Sequence, residues 1–149
     1  MMSKTFEYRL LKASWGIAID IIGDIVFFES SPSSKNIIGA WKGITISLKF
    51  SDQLKSFLSE PESRFVRHAI LLKKEVISTK VASVGETGIL FNLDAIKFNL
   101  CDYQLEGIYV AVIKWLESEL ELEDIESINP LYNTELNKYE FPGIVFPYS

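Results

Sequence analysis

A chain of 149 residues carries 20 acidic and 15 basic side chains, a net charge of -5 and one cysteine. That length suits a single domain, 1–149, with its own core. The acidity argues against nucleic acid or an anionic membrane surface as partner, and Cys101 alone allows neither an intramolecular disulfide nor a thiolate zinc site.

The chain is 48% hydrophobic and 23% charged, an ordinary globular composition. Its polar start, Met-Met-Ser-Lys-Thr-Phe-Glu, lacks the apolar run of a secretory leader, so a cytoplasmic protein is expected. Residues 5–12 alternate Phe6, Tyr8 and Leu10 with Glu7, Arg9 and Leu11, the pattern of a strand with one buried face. Trp15 to Phe28 is rich in β-branched residues and reads as strand, with Gly23-Asp24 a turn or bulge inside it. It contains Asp20 and Asp24 and is too short to span a bilayer. Residues 29–35, Glu-Ser-Ser-Pro-Ser-Ser-Lys, form a loop.

Gly39 to Gly43 reads as a connection into a strand at 43–50, where Ile44, Ile46 and Leu48 alternate with Thr45, Ser47 and Lys49. Ser51 or Asp52 caps a short helix carrying Leu54, Phe57 and Leu58, and Pro61 follows its end. The stretch 64–77 fits both periods. The alternation of Val66, His68, Ile70 and Leu72 is taken as a strand. Residues 82–88 are a turn region. Residues 89–100 form a strand whose buried parity switches, from Ile89, Phe91 and Leu93 to Ile96, Phe98 and Leu100. That phase change requires a bulge or tight turn near Asp94-Ala95.

The clearest element is a helix from Tyr103 to about Leu120. Leu105, Ile108, Tyr109, Val112, Trp115, Leu116 and Leu120 make its apolar stripe, and Asp102 is placed as its N-cap. Pro130 and Asn133 mark turns, 136–141 forms a last short strand, and the apolar tail Phe141–Tyr148 packs onto the body. The expected class is α+β: a mixed or antiparallel sheet of about five strands, packed on one face by the long helix of the C-terminal half.

Chemistry is sparse in this pattern. His68 is the only histidine, so no histidine-based zinc site can form within one chain, and a serine or thiol nucleophile would depend on His68 as base. The glycine pairs at 39–43 and 85–88 lack the lysine and the strand–helix setting of phosphate loops. Asp94, Asp102 and Glu106 could converge where the strand end meets the helix start. They define the enzymatic alternative, a small carboxylate-dependent hydrolase or isomerase. A third class is a structural or assembly subunit, which would expose an apolar patch near the C-terminal tail. No catalytic, cofactor or metal residue is assigned.

In length, acidity, mixed helix-and-strand pattern and lack of catalytic motifs, the whole chain resembles the small immunity proteins that accompany bacterial polymorphic and contact-dependent growth inhibition toxins. Phe98-Asn-Leu-Cys-Asp-Tyr-Gln-Leu-Glu-Gly107, leading into the Trp115 helix, looks like a family signature. The resemblance implies a non-enzymatic protein that binds one cognate toxin, often a nuclease, and blocks its active site. It transfers no residue by motif. The acidic run Glu117, Glu119, Glu121, Glu123, Asp124 and Glu126 is the expected docking surface for such a basic partner, with Tyr132 and Tyr139 as aromatic anchors. Not all six acids can share one helical face.

Overall fold

The computed structural model describes residues 4–12, 15–29, 36–98, 104–123 and 125–148. Five strands form one mixed sheet: β1 (Lys4–Lys12), β2 (Trp15–Phe28), β3 (Ile37–Trp41), β4 (Ile44–Phe50) and β5 (Gly88–Phe98), in the spatial order β1-β2-β5-β4-β3. Among the described residues only the β4–β5 pairing is parallel. The three helices α1 (Asp52–Phe57), α2 (Glu60–Leu72) and α3 (Lys74–Ser83) supply the crossover that a parallel pair needs. A fourth helix, α4 (Leu105–Glu119), follows β5, and a small hairpin, β6 (Leu131–Asn133) with β7 (Lys138–Glu140), lies after it.

One sheet face is apolar because strand alternation puts Ile17, Ile19 and Ile21, Ile44, Ile46 and Leu48, and Ile89, Phe91 and Leu93 on the same side, all buried. The helices cover that side. Trp115 of α4 meets Phe91 edge-on, with ring centroids 5.9 Å apart, and Phe57 of α1 meets Phe98 at 5.4 Å. The parity switch in β5 is a bulge: Ile22 faces Ala95, Gly23 faces Leu93, and Asp94 is the extra residue between them. β2 runs through this point unbroken, and Gly23 is what lets it pass. A Cβ there would stand 2.3 Å from the Asn92 carbonyl oxygen.

The stretch 64–77 is not a strand. It lies in α2 and α3, which break at Lys73. A sequence signal for this exists. Ser59 and Glu62 form a capping box, the Ser59 hydroxyl accepting from the Glu62 N–H and the Glu62 carboxylate accepting from the Ser59 N–H. Pro61 therefore opens α2 rather than closing α1. Gly39 also lies in a strand, β3, which returns into β4 through a two-residue turn. Lys42 and Gly43 there have φ of 50° and 82°, the paired positive values of a tight hairpin.

α4 is buried nearly all round. Its expected stripe is buried apart from a half-buried Leu105, and Val110, Ala111 and Ile113 on its other flank are buried too. The helix packs on β2, on α2, and under the chain that follows it. Gly107 permits the close approach to the sheet, since a Cβ would already touch Ile17 and Ile19 at 3.0 Å. The residue before the helix is Gln104, which makes no capping hydrogen bond of its own. The expected cap Asp102, with Cys101, lies outside the described residues.

The C-terminal tail does pack onto the body. Phe146 stacks on Phe65 at 5.8 Å and meets Tyr109 edge-on at 5.1 Å, while Arg64 Nη1 donates to the carbonyl oxygens of Pro147 and Tyr148.

Candidate functional site

The acidic run straddles the end of α4, with Glu117 and Glu119 in the last turn of the helix. Glu121, at φ 52°, turns the chain out of the helix: its N–H donates to the Ser118 carbonyl, and the Leu122 N–H donates to that of Glu117. This is the paired bond pattern that closes helices at a left-handed residue. The chain then returns along α4. Glu126 is held at the level of Lys114 and Glu117, and Tyr139 at the level of Gln104, so residues 125–140 form a strap antiparallel to the helix.

Two of the residues expected at the docking surface are inside the protein. Glu117 is only 4% exposed in its side chain. Its carboxylate lies 3.2 Å from Lys73 Nζ and 3.2 Å from Lys114 Nζ, and it accepts from the Glu126 N–H at 2.6 Å. Lys73, 3% exposed, also reaches Glu126 at 3.3 Å, and Lys114 Nζ donates to the Glu126 carbonyl at 2.7 Å. This buried cluster fastens the strap to α4 and to the α2–α3 break. Burial of two charges is tolerated because each is paired and hydrogen-bonded.

Tyr139 is likewise buried. Gln104 grips its backbone from both sides, Nε2 donating to the Tyr139 carbonyl at 2.6 Å and Oε1 accepting from its N–H at 2.8 Å. Tyr139 packs on Tyr132 at 5.2 Å, and the Tyr132 hydroxyl donates to Asn137. These two tyrosines build the hairpin; Tyr139 is a core residue and Tyr132 is half-buried. Burial and the phenol of Tyr139 push the facing Tyr8 hydroxyl up to about 12.

What remains on the surface is Glu121 and Glu123, with Glu119 and Glu126 half-buried and Asp124 outside the described residues. The strap adds residues that the acidic pattern alone did not single out. Glu135 and Glu140 are exposed, and so are Ile125, Leu131 and Leu136, the last at 62%. Residues 117–140 contain eight acids and one base, Lys138. Ile125, Leu131 and Leu136 are thus exposed aliphatic side chains in a segment rich in carboxylates. The signal in the sequence was the same segment read for apolar residues at polar positions: Ile125, Leu131 and Leu136 follow no strand or helix period.

The alternative carboxylate group does not assemble among the described residues. Asp94 stands exposed at the β5 bulge, above a mostly apolar cleft of about 250 Å³ formed with Gln53, Leu54, Phe57 and Phe98. Glu106 lies in a different cleft, with Tyr139, Phe141 and Tyr148, accepting from Gln104 Nε2 at 3.0 Å and from the Tyr148 hydroxyl. Asp102 is outside the described residues. His68 is exposed on α2. Among the described residues no three His, Cys, Asp or Glu side chains gather as metal ligands, and no helix is long and apolar enough to cross a membrane.

Comparison with known protein families, with curated proteins and with solved structures finds no match to this chain.

Proposed function

We propose that this chain is a non-enzymatic binding protein of the cytoplasm that neutralises a cognate toxin with a basic active site, a nuclease domain being the leading class. The observation that carries the reading is the strap. The strap and the turn that leads into it carry exposed carboxylates at Glu121, Glu123, Glu135 and Glu140 along with the exposed side chains of Ile125, Leu131 and Leu136. Carboxylates would speed encounter with a positive cleft, and the aliphatic groups would supply the area desolvated on docking. A toxin cleft built for an anionic substrate presents the opposite charge, so the same surface would occupy the substrate's place.

The buried Lys73–Glu117–Lys114–Glu126 cluster gives this reading a rigid support, because it fixes the strap's backbone before any partner arrives. The experiment is a pull-down from the native organism with the full chain as bait. The captured protein is then tested for an enzymatic activity that disappears at one equivalent of the chain. The expected result is a basic partner, inhibited stoichiometrically, whose binding weakens in Leu136→Ala and in Glu121→Lys/Glu123→Lys. A partner that stays active in the complex, or binding indifferent to both variants, overturns the proposal.

A further inference from the structure

The sheet has two edges, and they are built differently. β3 is five residues long and its pairing slips between Ile37 and Gly39. A short, bulged edge is a poor template for another strand. β1 is nine residues long and pairs with β2 in an unbroken register from Lys4 to Lys12. It contains no proline and no glycine, and among the described residues no strand pairs with its outer side. Its backbone groups on that side are an open ladder.

We infer that β1 is a homodimerisation edge: two copies of this chain pair antiparallel through it, about a two-fold axis at Tyr8, to make one continuous sheet. The register follows from geometry and charge. A two-fold axis that joins two edge strands antiparallel stands perpendicular to the sheet, so each face maps onto itself. Residues facing the helices, Phe6, Tyr8 and Leu10, must then oppose one another, and so must those on the open face, Glu7 and Arg9. With the axis at Tyr8, Glu7 opposes Arg9 of the second copy, twice. Phe6 opposes Leu10, twice, and Tyr8 opposes itself.

The neighbouring registers fail. An axis at Glu7 sets Glu7 against its own copy, and an axis at Arg9 does the same to Arg9, placing like charges directly opposite. The Tyr8 register is thus the one in which this edge is complementary to itself. Glu7 and Arg9 are accessible to it: their side chains are 64% and 48% exposed, paired with each other at 3.3 Å, and Arg9 also bridges to Asp20 at 2.7 Å along the same face. Phe6, Tyr8 and Leu10 are only half-buried in the single copy and would be covered further by their counterparts. An edge contact of this length is at the small end of stable interfaces, so the monomer and dimer should exchange with concentration.

This inference concerns a different surface from the strap and stands or falls separately from the proposed toxin binding. Its test is sedimentation velocity of the full chain over a concentration series. Wild type should pass from monomer to dimer. Glu7→Arg alone and Arg9→Glu alone each turn both cross-strand pairs repulsive and should weaken dimerisation by about tenfold or more. An equimolar mixture of the two single variants restores every opposite-charge pair, as does the double variant Glu7→Arg/Arg9→Glu, and both should dimerise like wild type. All these positions are exposed, and circular dichroism checks that each variant is folded. A wild type that stays monomeric throughout the series overturns the inference. So does dimerisation that the single variants leave unchanged, or single variants whose mixture remains monomeric.

Discussion

Glu117 sits between two lysines under the strap, while Glu123, in the same acidic run, stands in solvent beyond the helix end. The two residues carry equal charge and similar neighbours in sequence. One holds the molecule together and the other is available to a partner. The difference is made by Lys73, whose side chain enters from the α2–α3 break and finds Glu117 where α4 passes. An acidic run is therefore not a surface by virtue of its charge. Each member has to be traced to what faces it.

The largest expected effect breaks the buried half. Glu117→Ala removes the buried carboxylate that faces the desolvated Lys73, and should cost about 3–5 kcal/mol in urea unfolding. Replacing both ends with apolar groups sharpens the comparison: Lys73→Met/Glu117→Leu should recover most of that loss, because no unpaired charge remains buried. If the double variant is as unstable as Glu117→Ala, the cluster is worth more than the sum of its desolvation costs. An intermediate effect of opposite sign is expected at the hinge between the halves. Glu121 is an exposed residue at φ 52°, where glycine is preferred, so Glu121→Gly should raise stability by up to about 1 kcal/mol. The smallest effect on stability belongs to the solvent half: Glu123→Lys should change it by less than about 0.5 kcal/mol. The same substitution should slow association with a captured basic partner at low salt and flatten the salt dependence of the rate, read by stopped-flow. Stability loss in Glu123→Lys comparable to that in Glu117→Ala would erase the distinction between the two halves.

Stability at high pH has a separate source. The Tyr8 hydroxyl, buried beside Tyr139, holds its proton up to about 12, against an ordinary 10. A folded-state pKa raised above the unfolded one contributes stability that is present below 10 and lost as the pH climbs to 12. Tyr8→Phe should remove part of the alkaline loss seen in thermal melts between these two values.

Sequence and structure part company at identifiable residues. The alternation in β1 and β4 and the parity switch at Asp94 were legible because a strand's side-chain period is two and a bulge shifts it by one; β2 was legible from its β-branched content. Gly23 completed that account only once its closeness to Asn92 was seen. The helix stripe from Leu105 to Leu120 was legible, but the burial of α4 nearly all round was not, since that depends on α2 and on the returning strap. Residues 64–77 satisfied both periods at once. The capping box at Ser59 and Glu62 favours helix locally, and packing of α2 against α4 completes the choice.

Composition and local pattern alone determined the α+β class, the strands built on β-branched alternation, the position of the bulge and the long apolar helix, because each rests on neighbours within a few residues. Tertiary structure alone decided which acids are buried, that Tyr139 is core, and that Asp94 and Glu106 line separate clefts. Those outcomes depend on pairs such as Lys73 with Glu117 and Gln104 with Tyr139. Residues so far apart along the chain share no local signal; only the folded path of the backbone brings their charges and hydrogen-bonding groups within reach of one another.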